Sequence, residues 1–144
     1  MTAAFDFSAA SVAALAQSDA QRALAEDVGS ADLTAALVPA GRKARARVLS
    51  RESAVICGAP WVEAALRLVD PALEPHWLVH EGLRSMADQV VLEIEGPARS
   101  LLTAERTALN FLQLLSAVAT KTAVYVDAVS GTRARIVDTR KTLP

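Results

Sequence analysis

The sequence predicts a mixed α/β fold, and three patterns carry that expectation. Lys43 to Ser50 and Gln89 to Glu95 alternate their side chains with the period of a half-buried strand. Trp61, Ala64, Ala65 and Leu68 recur at helical spacing, and Ala108, Leu112, Leu115 and Ala119 form a second, more apolar helical stripe. With 144 residues, 52% hydrophobic and 22% charged, the chain has a globular composition and the length of one ordinary domain.

Taken in order, Val12, Leu15 and Leu24 suggest one or two short helices between Ser8 and Glu26, stopped by Gly29. The segment EDVGSADLTAALVPAG reads as a loop. Two strands follow, Lys43 to Ser50 with Ala44, Ala46 and Val48 on one face, and Ala54 to Cys57. Pro60 suits the first turn of the next helix, which Asp70 and Pro71 end. His76 to His80 is a candidate strand, and Gln89 to Glu95 is a stronger one before Gly96 and Pro97. The long helix then runs toward Gly131 with a break expected near Thr120, capped by Ser100 or Thr103. Phe111, Leu114 and Val118 widen its apolar stripe, so it should be buried on most sides. Ala134 to Asp138 reads as a last strand with nothing after it to pair in parallel, which makes the chain look like a fragment. The domain boundary falls near Leu115, giving residues 1–115 and 116–144.

Composition narrows the classes of function. The 15 Lys+Arg balance 16 Asp+Glu, so no uniform field attracts nucleic acid or an anionic membrane. No apolar stretch approaches the ~18 uninterrupted residues of a membrane span, and MTAAFDFSAA lacks the pattern of a signal peptide; a cytoplasmic protein is expected. One cysteine and two histidines leave little from which to build a zinc site. Aromatics make up only 4%, so the core must be packed by Ala, Val and Leu, with elements approaching closely.

Several clusters could carry chemistry. Arg140 and Lys141, flanked by Thr139 and Thr142, suit a carboxylate or phosphate, and equally describe a solvated loop. Arg106, read as lying in the first turn of an apolar helix, faces the wrong end of the macrodipole; it is either a surface side chain or a functional one. Glu26, Asp27 and Asp32 could hold a divalent cation or, more simply, cap helices and turns. His76 and His80 have no third ligand in view, the stripe Arg42, Lys43, Arg45, Arg47 and Arg51 has the character of a solvated strand face, and Cys57 that of a buried small hydrophobe.

In order and spacing, EDVGSADLT, ICGAPW, AERTALNFLQLLSAVAT and IVDTRKTLP resemble the quinolinate phosphoribosyltransferases over residues 24–144. The chain departs from the family's pattern at Ala31, at Glu81-Gly82-Leu83 in place of an Asp-Gly-Asp turn, and at Ser116-Ala117-Val118-Ala119-Thr120. The resemblance implies an N-terminal α/β sandwich holding a four-stranded sheet, then an α/β barrel beginning at the DTRKT strand. It implies transfer of phosphoribosyl from phosphoribosyl pyrophosphate to quinolinate, giving nicotinate mononucleotide, pyrophosphate and CO2 for NAD synthesis. Thr139, Arg140 and Lys141 would bind substrate, with Lys141 catalytic, and Arg106 would reach substrate carboxylates of the opposite subunit in a homodimer. Magnesium is implied too, its ligands lying outside this chain. The rival readings are a homologue with another nitrogenous substrate, a carrier domain, and a pure association domain.

Overall fold

The computed structural model describes residues 6–29 and 32–137. Strand β5 (Gln89–Pro97) is the centre of the fold, pairing antiparallel with β1 (Lys43–Ser50) on one side and β3 (Glu74–Trp77) on the other. A bulge between Val48 and Leu49 shifts the β1 register. A separate two-stranded ladder joins β2 (Ala54–Val55) to β4 (Arg84–Ser85). The sheet of the described residues is thus three-stranded with a small ladder beside it, where four strands in one sheet were expected.

Among the described residues, four helices accompany the strands: α1 (Ala9–Val28), α2 (Leu33–Ala36), α3 (Ala59–Val69) and α4 (Ala98–Ala128). Helix α1 is one helix of 20 residues, and Gly29 does end it. The expected loop after it contains α2, because the Asp32 carboxylate accepts the Ala35 N–H at 2.9 Å and so nucleates a turn. Helix α4 starts directly off β5, earlier than Ser100 or Thr103 would allow. Its first N–H, on Ala98, is taken by the Arg42 carbonyl at 2.8 Å, so no side-chain cap is needed. Ser100 and Thr103 instead donate their hydroxyls to Asp70 and Asp32, at 2.6 and 2.8 Å.

The core lies between the sheet, α3 and the first half of α4, and it is built from Val62, Leu66, Leu92, Ile94, Leu101 and Leu112 around alanines. Each large side chain taken fully out of water contributes about 1.5 to 3 kcal/mol. Ala16, Ala20, Ala65 and Ala104 have no exposed surface, as the composition predicts for closely packed elements.

Helix α4 runs without the expected break at Thr120, and the boundary expected near Leu115 falls inside it. Its second half also corrects the sequence reading: Leu114 is 65% exposed and Val118 60%, because no described layer packs on that side. By length and composition alone α4 could cross a membrane, yet Leu101, Ala104, Ala108 and Leu112 are buried in the core. Two hydroxyls tie the second half to the ladder. Ser116 accepts the Cys57 N–H at 3.0 Å and donates to the Cys57 carbonyl, while Thr120 accepts the Val55 N–H at 2.8 Å. Side chains of α4 thereby satisfy backbone groups that a neighbouring strand would otherwise serve. Residues 134–137 form no strand, since no ladder partner exists for them among the described residues, and Asp138 lies outside these.

Gly58 makes the α3–α4 approach possible. It sits at φ 112°, and a Cβ there would lie 3.1 Å from Leu115 Cδ1 and 3.3 Å from the Phe111 carbonyl oxygen. Gly58→Ala should therefore lower unfolding free energy by about 1 to 3 kcal/mol in urea titration. Gly82→Ala, also at positive φ but with nothing within 4 Å, should lose less; equal losses would contradict the tight approach.

Candidate functional site

Arg106 is more than two turns into α4, about 3.6 residues to the turn, and not in its first turn. The positive end of the macrodipole therefore does not disfavour it, since that field fades within the terminal turn. What holds Arg106 is the end of α1: its Nη1 lies 3.0 Å from Asp27 Oδ1. The two side chains differ sharply in surroundings, with Arg106 75% exposed and Asp27 only 17%.

Beside this pair, Asp32 caps α2 and accepts the Thr103 hydroxyl. Its carboxyl is held below the ordinary value of 3.8, chiefly by the Ala35 N–H, next by Thr103, with a smaller contribution from the Arg106 charge. Asp27, Asp32, Thr103, Arg106, Asn110 and Gln113 line a polar groove of about 630 Å³. An apolar hollow of about 330 Å³, between β1 and α4, shares Leu102, Glu105 and Leu109 with that groove. The arrangement presents one exposed guanidinium, anchored on one side and open to solvent on the other. Such a group can accept a carboxylate or phosphate from outside the chain.

The other sequence candidates separate cleanly. Thr139, Arg140 and Lys141 lie outside the described residues. Asp27 and Asp32 serve as ion-pair partner and cap, and among the described residues no group of three His, Cys, Asp or Glu side chains is placed to hold a metal ion. His76 stands on β3 opposite Glu93. In the basic stripe, Arg45 pairs with Glu93 and Glu95, and Arg51 with Asp88. Cys57 is only partly buried, and burial first, then the Glu81 carboxylate, pushes its thiol up to about 11, so it is a protonated thiol at neutral pH.

Two features escaped the sequence reading. One is the Asp27–Arg106 pair; the available signal was a carboxylate in the last turn of a helix that has no basic residue there. The other is Glu81, which accepts the Gly58 N–H at 3.0 Å and the Ala59 N–H at 2.8 Å. It caps α3 from 22 residues away, at the turn where the sequence departs from Asp-Gly-Asp.

A family model described as quinolinate phosphoribosyl transferase, N-terminal domain, matches residues 32–116. The chain belongs to this family. Among its relatives, the nicotinate-nucleotide pyrophosphorylase [carboxylating] of Mycobacterium leprae is 43% identical over 86% of this chain and 45% of its own length. The solved nicotinate-nucleotide pyrophosphorylase from Francisella tularensis superposes with a TM-score of 0.88 at 33% identity, covering 92% of this chain and 47% of that one. NadC from Streptococcus pyogenes gives 0.84 at 36% identity, over 90% and 48% of the two chains. The chain thus spans less than half the length of these quinolinate phosphoribosyltransferase relatives.

Two carboxylates, Asp32 beside the site and Asp70 at the end of α3, set a pH limit on this domain. Asp70 is also held low, first by the Ser100 hydroxyl and then by the Ala72 N–H. For Asp32 and Asp70 the folded carboxyl titrates below the unfolded one, so the stability they contribute is complete above about pH 4 and is lost as pH falls through the depressed values. The melting temperature should drop as pH falls below about 4, and Asp32→Asn with Asp70→Asn should flatten that drop. A parallel fall in the double variant would show that other groups control it.

Proposed function

We propose that this chain forms the N-terminal part of a quinolinate phosphoribosyltransferase working in NAD synthesis. In the proposed reaction the ring nitrogen of quinolinate attacks C1 of phosphoribosyl pyrophosphate and pyrophosphate leaves with the bonding pair; the 2-carboxylate then departs as CO2, leaving its bonding pair on ring C2, which takes up a proton from solvent. The product is nicotinate mononucleotide. The observation that carries the reading is the exposed Arg106 guanidinium, fixed on α4 within the matched family domain.

The chemistry asks for such groups. A dicarboxylate and a polyphosphate can be brought together out of water only by a dense set of cations, and catalysis consists mainly of stabilising leaving-group charge beside an oxocarbenium-like centre. In this reading Arg106 reaches the substrate carboxylates of a second subunit in a homodimer. Thr139 and Arg140 bind substrate oxygens, and Lys141 is the catalytic cation. In this reading a barrel domain following α4 supplies the rest of the pocket. Magnesium would enter with the pyrophosphate group, and the described residues offer no ligand set for it. A cytoplasmic location accompanies this metabolic role.

The 144-residue chain, mixed with both substrates and magnesium, should form no nicotinate mononucleotide. Fused after Pro144 to the C-terminal part of the Mycobacterium leprae relative, it should turn over. Arg106→Ala and Arg140→Ala fusions should each lose roughly 10- to 150-fold in kcat/KM, the value of one charge-assisted hydrogen bond. Unfolded and refolded together, they should recover part of the activity in heterodimers. No recovery in verified heterodimers would place Arg106 in its own subunit's site, and turnover by the isolated chain would refute the division of the site between two domains.

A further inference from the structure

Asp27 occupies a place that helix electrostatics disfavour. It lies in the last turn of α1, at the negative end of the macrodipole, next to Glu26 and with no basic residue in that turn. Its side chain is 17% exposed, so its charge is also largely removed from water. Neither condition helps α1. Both are offset by Arg106, its ion-pair partner among the described residues, which approaches from α4 at 3.0 Å.

The geometry is asymmetric in a useful way. Asp27 is held by the packing of α1 against α3 and α4, while Arg106 is a long side chain 75% exposed to solvent. A free arginine there would sample many rotamers, and ordering it would oppose ligand binding. The contact with Asp27 Oδ1 is made through Nη1; a guanidinium carries five N–H donors, more than one carboxylate can occupy, so donors remain to meet an incoming oxyanion. Asp32, tied to Thr103 on the same face of α4, adds a second negative charge near the guanidinium.

We propose that Asp27 is a positioning residue of the transferase site: it pre-orients Arg106 so that the outer edge of the guanidinium meets a substrate carboxylate already aligned. This rests on the reading that Arg106 binds substrate. Asp27 itself touches no substrate, and its whole effect passes through Arg106.

Two measurements test it. In the chain as it stands, the Arg106 Nε–H order parameter should fall toward the flexible range, below about 0.6, in Asp27→Asn, while the melting temperature holds or rises because a carboxylate has left the negative end of α1. An unchanged order parameter would overturn the proposal. In the active fusion, Asp27→Asn should raise KM for the pyridine dicarboxylate roughly 3- to 10-fold with kcat nearly kept, more than an exposed pair usually gives because Asp27 is partly desolvated. In the Arg106→Ala background the same change should have no effect on kcat/KM. If Asp27→Asn lowers kcat/KM equally in both backgrounds, Asp27 acts through the fold and this inference fails, with Arg106 still in the site. If Arg106→Ala leaves kcat/KM unchanged, the substrate reading of Arg106 fails and the inference falls with it.

Discussion

Helix α4 can approach α1, α3 and the β1–β5–β3 sheet at one place only because small residues stand at the seam. Ala20, Ala65, Ala104 and Ala108 belong to one buried cluster with Val62, Leu66, Leu92 and Leu112. A larger side chain at any of the alanines would have to displace backbone, since interiors are packed near crystal density. The seam fixes the rotation of α4 about its axis, and the rotation decides which face each side chain joins. Ala104 and Ala108 point inward, so Arg106, half a turn from each, must point outward toward the end of α1. The geometry of the functional site depends on that one packing choice.

The seam is backed by polar interactions that satisfy chain ends. Glu81 serves the first N–H groups of α3, Arg42 lends its carbonyl to the first N–H of α4, and Asp32 caps α2. Ser116 and Thr120 hold the backbone of residues 55–57 against the second half of α4. These bonds join segments far apart in sequence, so the ends of elements are held by tertiary structure as much as by local capping. The second half of α4 has such anchors, including Arg84 to Asp127, but little buried apolar surface. Its exposed Leu114, Val118 and Val124 are consistent with a chain that spans under half of its relatives.

Much of this was legible before any coordinates. Alternation marked β1 from Lys43 to Ser50, and the helical spacing beyond Pro60 marked α3, because in both cases one face is buried and the other wet. The start of α4 was not legible, since its first N–H is satisfied by a carbonyl 56 residues earlier and leaves no capping residue to read. Strand β4 is two residues long and has no period. The apolar pattern of α4 showed which face is greasy, but a pattern does not count the layers available to cover it. For the site, the family motifs drew attention to Arg106, while its partner Asp27 was visible only as one acid among several in a segment read as a loop. Pairing across two helices depends on the rotation of each, which no local signal encodes.

The central claim is that the alanine seam is the most stable part of this domain and orients α4 for its role. Native-state amide hydrogen exchange measures that directly. The account predicts that amides of Ala104, Ala108 and Leu112 exchange only through global unfolding, together with the central residues of β5, while amides beyond Lys121 exchange through smaller local openings. Exchange at Ala104 and Ala108 as fast as in the last turns of α4, with β5 still protected, would mean that the helix rides on the sheet without being fixed by it, and would contradict the account.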